Sequence, residues 1–244
     1  MRDIRTVDAD ENGNISFAGL FKMIRVEGGS FLMGASGKCL EEARGDETPA
    51  HEVTLDEYFI GETAVTRDLW FKLMTNKIPE GGRLPIAKVT WFDCHKLIRK
   101  LNSLTDGKYY FFLPTEAQWE FAARGGVKSQ GFKYSGSDNL DEVAWYGENS
   151  DKKRHSVASK KPNELGIYDM SGNIGEWCED EWDGYPEESQ INPEPEAEGA
   201  YKVFRGGCFQ SAPVRCRVSN RSCCSPRDRS SIIGFRLAMR YRSE

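Results

Sequence analysis

Histidine is nearly missing from this chain, with His51, His95 and His155 the only three in 244 residues. A His-rich metal centre or a Ser-His-Asp triad therefore has little raw material. Long apolar runs are missing too: mean hydropathy is −0.61, and nothing approaches the roughly 18 residues that span a bilayer, so no membrane insertion is expected. The opening "MRDIRTVDADENGNISF" lacks the apolar stretch of a secretory leader. A cytoplasmic location follows as the expectation, with surface or phage-particle display as the alternative. In a reducing compartment the seven cysteines read as free thiols. Basic excess is absent as well. Lys and Arg number 33 against 38 Asp and Glu, a net charge of −5 with the signs interspersed, which argues against a nucleic-acid partner. There is no repeat of solenoid length and no linker composition between two cores.

What is present is a core-building inventory: 39% hydrophobic residues, six Trp and thirteen Phe. Residues 1–20 read as a polar extension. Within it "DADENGNIS" imitates a calcium loop, but the twelfth position is Gly19 where a bidentate Glu is needed, so a turn leading into the first strand is the expectation. From Phe21, "FKMIRVEGGSFLMG" alternates as strand, turn and strand, and "HEVTLDEYFIGETAVT" is again of strand type. Three helices follow. "TRDLWFKLMTN" opens on Thr66 as N-cap, "TWFDCHKLIRKLNSLT" carries Phe92, Leu97, Ile98 and Leu101 near helical spacing, and "PTEAQWEFAARGG" is bracketed by Thr115 and Gly125. After Gly126 the chain becomes rich in Gly, Ser, Asn and Pro, and the acidic stretch Asp183–Ala200 reads as a solvated loop. The expected class is α+β, with one domain over residues 21–242.

Four of the seven cysteines crowd into "RGGCFQSAPVRCRVSNRSCCSP", from Arg205 to Pro226. Sequence-adjacent cysteines are poor disulfide partners, and these spacings match no ordinary zinc pattern. Upstream, Glu116, Glu120 and Arg124 fall on one face of the third helix, an i,i+4 arrangement. The arginines of "RGG" and "GFR" (Arg205 and Arg236) are expected to pair with buried carboxylates or carbonyls.

Six phrases in order, "GGSFLMG", "VTWFDCHKLIRKLN", "LPTEAQWEFAARGG", "NELGIYDMSGNIGEW", "VFRGG" and "IGFRLA", resemble the formylglycine-generating enzyme (sulfatase-modifying factor) domain family over nearly the whole chain. The resemblance implies a C-type-lectin-like fold: small twisted sheets, a few helices and much irregular backbone. It implies structural calcium at Asp169, Gly172, Ile174 and Glu176, where carboxylates and backbone carbonyls supply hard oxygen ligands. Enzymes of the family oxidise a sulfatase cysteine using copper(I) held by two cysteines. By position these fall on Ser211 and Cys216. A hydroxyl is a hard ligand where copper(I) selects soft sulfur, so copper and catalytic residues are not expected.

Within the family the pattern resembles variable proteins of diversity-generating retroelements, whose C-terminal region is rewritten by adenine-specific copying errors. Here "CRVSNR" and "IGFR" look like fixed pieces, flanked by unusual strings. Ser, Cys, Ile, Arg, Val and Ala are reachable from an Asn codon by changing adenines; Gln210 is not reachable from the usual one. The resemblance implies a non-catalytic protein with a ligand-binding, in all expectation protein-binding, face. Its residues are Cys208, Phe209, Gln210, Ser211, Ala212, Val214, Arg215, Ser222, Cys223, Cys224, Arg227, Asp228, Ser230, Ser231 and Ile232, with Phe209, Arg215 and Arg227 as anchors. The alternatives are a copper-dependent formylglycine-generating oxidase and an undiversified accessory paralogue.

Overall fold

Three threonines start the three long helices, because a hydroxyl in extended backbone satisfies the first unpaired N–H groups. Thr66 caps α1 (Arg67–Met74), Thr90 caps α2 (Trp91–Leu104) and Thr115 caps α3 (Glu116–Ala123). At α2 and α3 the cap is reciprocal: Asp93 and Gln118 accept a hydrogen bond from the cap residue's own N–H. Gly125, at φ 94°, ends α3 in the left-handed region. The apolar face of α2 is Cys94, Leu97, Ile98 and Leu101, all buried, whereas Phe92 is 42% exposed. A short α4 spans Leu140–Val143.

The computed structural model describes residues 6–75, 77, 80–105, 107–195 and 199–242. Its strands are β1 (Val7–Ala9), β2 (Ile15–Phe17), β3 (Phe21–Val26), β4 (Gly29–Met33), β5 (His51–Leu55), β6 (Tyr58–Gly61), β7 (Tyr109–Phe112), β8 (Gly175–Glu181), β9 (Gln190–Ile191), β10 (Lys202–Arg205), β11 (Arg221–Cys224), β12 (Ile233–Phe235) and β13 (Ala238–Tyr241). They form a six-stranded sheet in the order β1-β2-β3-β6-β13-β7, a four-stranded sheet β11-β10-β8-β12 and a three-stranded sheet β4-β5-β9. The last strand inserts between β6 and β7, so the two ends of the chain share one sheet. On the β7 edge the Asn102 amide donates to the Phe111 carbonyl and accepts its N–H, at 2.9 and 2.7 Å.

Two expectations are corrected. Residues 6–20, the described part of the expected extension, do not stand outside the fold: the Asp10 carboxylate accepts the Asn12 and Asn14 N–H groups in a tight turn, and β2 then delivers Ile15 and Phe17 into the core. Nor is the described part of the acidic stretch, residues 183–195, only a solvated loop. β9 pairs in parallel with β5, Asn192 accepts the Asp56 N–H, and Tyr185 packs under the Arg221 guanidinium at 3.9 Å. Two large cores result. One lies among α1, α2 and the six-stranded sheet and holds Trp177; the other surrounds α3 and holds Trp119.

Candidate functional site

The C-terminal loops hang from a frame of buried ion pairs. Arg205 donates to Glu116 and Glu120 of α3 at 2.5 Å each. Arg221 grips the same Glu116 through Nε and an Nη, both at 2.7 Å. Arg217 grips both oxygens of Glu47 at 2.6 and 2.7 Å, and the Ser219 hydroxyl adds a third bond to that carboxylate. Arg236 holds both oxygens of Glu176, and the Trp119 indole N–H donates to one of them at 2.7 Å. Burial alone pushes the Glu116 carboxyl up, but the facing Arg221 and Arg205 charges outweigh it and hold it below the ordinary carboxylate range. Burial likewise pushes Glu47 up, and Arg217 with Ser219 pulls it below that range. Such pairs add little net stability over an apolar core of the same shape, yet losing one partner is costly.

Asp180 sits beside this frame and accepts the Glu116 N–H at 2.6 Å. Burial, then the Glu116 charge, raises its pKa from 3.8 to about 7. The folded state thus binds this proton more tightly than the unfolded chain. Its stabilisation is complete below about pH 4 and is lost as the pH rises through 7. Asp180→Asn keeps the acceptor and removes the charge. The variant is expected to gain about 1–3 kcal/mol over the natural protein above pH 7 and to show a flatter melting-temperature profile between pH 4 and 7. Parallel profiles for the two proteins would show that Asp180 titrates normally.

Gly206 and Gly207, at φ 92° and 69°, turn the chain from β10 into the first loop. A Cβ on Gly207 would lie 2.8 Å from the Arg215 carbonyl and 3.0 Å from the Cys216 sulfur, so the close return of the loop requires glycine. Gln210, Ala212, Arg215, Arg227, Asp228 and Ser231 are exposed; Ser211, Val214, Ser222, Cys223, Cys224, Ser230 and Ile232 are half-buried. Cys208 and Phe209 are not part of a contact surface: they are 4% and 6% exposed. The glycine turn drives them inward, where Phe209 donates its N–H to the Asn173 carbonyl and accepts from the Ser150 hydroxyl. Phe209 is therefore corrected from anchor to core. The half-buried cysteines lie on β11, the edge of the four-stranded sheet, and Cys224 packs against the first core. Burial, then the Asp228 charge, pushes the Cys224 thiol up to about 12, so it stays protonated and unreactive at neutral pH.

Sequence reasoning missed two flanking segments. Gly147 donates to the Ser211 carbonyl, and Trp145 stacks on His155 at 3.8 Å in the same loop. On the other side Lys88 donates to the Ser230 carbonyl, Trp91 to the Pro226 carbonyl, and Arg229 pairs with Asp93 at 2.8 Å. An aromatic and a histidine within a Gly-Asn-Ser loop were the available signal for the first; the second carried none.

The donor groups at the family's copper positions and at the calcium site implied by the resemblance are engaged elsewhere. At the copper positions Ser211 presents a hydroxyl, which accepts the Cys208 N–H at 2.9 Å. Cys216 is wholly buried, and burial, then neighbouring Cys208, pushes its thiol up to about 12. At the calcium positions the Glu176 carboxylate is fully engaged by Arg236 and Trp119, the Gly172 carbonyl accepts the Ile174 N–H, and Asp169 Oδ2 accepts the Ala158 N–H. Of the carboxylate oxygens there, Asp169 Oδ1 has no hydrogen-bond partner, and burial raises that carboxyl to about 6. With Glu176 held on both oxygens by Arg236 and Trp119, the loop is short of the anionic ligands that a cation taking six to eight oxygens needs. Among the described residues no group of three or more His, Cys, Asp or Glu side chains could hold a metal ion.

The fold and its arginine frame define a formylglycine-generating-enzyme-type, C-type-lectin-like protein, and the chain belongs to the sulfatase-modifying factor enzyme 1-like domain family, which matches residues 16–241. Variable protein 1 of Treponema denticola, a diversity-generating retroelement variable protein, superposes with a TM-score of 0.77 at 30% identity, covering 91% of this chain and 95% of that one. Chaperone protein LppX of Paenibacillus barcinonensis is 32% identical over 81% of each chain. The formylglycine-generating enzyme of Streptomyces coelicolor is 30% identical over 88% of each. No helix is long and apolar enough to cross a membrane among the described residues.

Proposed function

We propose that this protein is a non-catalytic binder of another protein, with a contact face formed by the exposed and half-buried residues between Gln210 and Ile232. The observation that carries this reading is Ser211, a hydroxyl where the oxidase chemistry of the family needs a second soft ligand. The likeness to a retroelement variable protein supports it. So does the division of labour within the segment: Arg205, Arg217, Arg221 and Arg236 are buried in ion pairs, while most side chains between them reach solvent. A rigid scaffold carrying permissive loops is the arrangement expected of a recognition surface.

Two measurements test the proposal. Purified protein loaded with copper(I) is expected to leave a sulfatase-type cysteine peptide unconverted by mass spectrometry; robust copper-dependent turnover would establish the oxidase instead. Replacing Gln210, Ala212, Arg215, Arg227 and Ser231 together by other polar residues is expected to shift the urea midpoint by less than about 1 kcal/mol equivalent, because exposed substitutions are individually small. A cooperative loss of folding would make those positions scaffold.

A further inference from the structure

Three guanidiniums gather around one short segment beside the loop face with no carboxylate at ion-pair distance among the described residues, although buried Asp169 feels the Arg83 charge. Residues 83–88 run between two other stretches. On one side Arg67 donates its N–H to the Leu84 carbonyl and Ile86 donates to the Val65 carbonyl; on the other Val157 donates to the Arg83 carbonyl. Arg83 returns a side-chain bond to the Val157 carbonyl at 3.1 Å, and Arg154 reaches the Pro85 carbonyl at 2.6 Å. The Arg67 Nε is buried with no hydrogen-bond partner. Among the described residues no carboxylate lies within 4.0 Å of Arg67, Arg83 or Arg154.

That contrasts with the rest of the molecule. Each of the four buried arginines of the loop frame pairs with a carboxylate, Glu116 serving both Arg205 and Arg221. Gathering like charges with no counter-ion is costly, and here burial, then the Arg67 charge, depresses the Arg154 pKa. The cluster also connects to the proposed face. Lys88, exposed at the end of the segment, bonds through its N–H to the Ser230 carbonyl, and the Arg229 guanidinium donates to the Lys88 carbonyl. Lys152, also exposed, lies in the loop whose Ser150 binds Phe209. The segment that carries the cluster is thus joined to the proposed face through Lys88.

We infer that Arg67, Arg83 and Arg154, flanked by Lys88 and Lys152, receive carboxylate side chains of an acidic partner protein. The inference rests on the binding-face reading and names the chemistry of its partner. Planar guanidiniums match carboxylates bidentately and hold them with directional charge-assisted hydrogen bonds. Phosphate oxygens would satisfy the same groups. A nucleic acid, however, extends well beyond this patch over a chain whose net charge is −5, and exposed Asp151, next to Lys152 and paired with Lys153, would repel its backbone. Those features suit a compact acidic protein surface, with steering that weakens as salt rises.

The test uses the full chain and a fluorescein-labelled decaglutamate peptide as probe, read by anisotropy across a salt series. Binding is expected at low salt, with affinity falling as salt rises. Arg83→Glu with Lys88→Glu is expected to weaken it at least about tenfold and to flatten the salt dependence, since both loss of attraction and repulsion act. Lys88→Glu with Lys152→Glu changes only exposed side chains without a described ion pair and is expected to act in the same direction with no change in melting temperature. Arg99→Glu with Lys100→Glu, on the distal half of α2, is the control and is expected to leave the affinity unchanged. The inference is overturned if the natural protein does not bind the peptide, if the control weakens binding as much as the cluster variants, or if a short duplex DNA of equal charge binds more tightly. None of these results touches the turnover assay, so the binder reading and the partner chemistry can fail separately.

Discussion

Glu116→Gln is expected to cost about 3–5 kcal/mol of folding stability, a large share of the roughly 5–15 kcal/mol that holds a typical protein together. The amide fills the same space, so no cavity forms and the loss is electrostatic. Arg221 loses both of its charged contacts at 2.7 Å, while Arg205 keeps Glu120. Two guanidiniums then remain buried against one remaining α3 carboxylate. Urea midpoints read this directly. Adding Arg221→Met to the Glu116→Gln variant is expected to recover part of the loss, because the uncompensated charge leaves with the arginine. A cost below about 1 kcal/mol for the single change would contradict the frame as drawn, since that is the size of an exposed ion pair.

Glu176→Gln is the second large effect, expected to cost about 3–4 kcal/mol, because Arg236 is wholly buried and Glu176 is its only carboxylate partner among the described residues. The cost is expected to be the same in excess calcium and in excess chelator, and chelator is expected to leave the natural protein's melting temperature unchanged. A ligand that bound only the folded state would raise that temperature by mass action. Calcium-dependent stabilisation that disappears in Glu176→Gln would show that the carboxylate exchanges Arg236 for a cation.

Local chemistry was readable from the residues. Thr66, Thr115 and Gly125 bound their helices as expected, because caps depend on a few neighbouring groups. That Arg205 and Arg236 meet carboxylates was also legible, since a guanidinium within an apolar phrase has to be compensated. Which carboxylate serves which arginine was not. Glu47 meets Arg217 across 170 positions, a pairing that only the packed chain defines. The acidic insert misled for a related reason. Its composition is that of a solvated loop, yet two residues of β9 and the one ring of Tyr185 tie it down, and average composition does not register so few anchors. Phe209 misled through its aromatic character, which suits an interface anchor and a core residue equally; the adjoining glycine turn decided between them.

The anchoring of the C-terminal segment at four arginines has a consequence for how this region can change. Arg217 and Arg236 end on Glu47 and Glu176, and Arg205 and Arg221 meet on Glu116, so the intervals between them have set lengths. Replacing a side chain within an interval leaves the spacing of these pairings intact. Inserting or deleting even one residue between Arg217 and Arg221 would force one guanidinium out of Glu47 or Glu116. The exposed positions of the segment therefore tolerate replacement one side chain at a time, whereas its length is fixed.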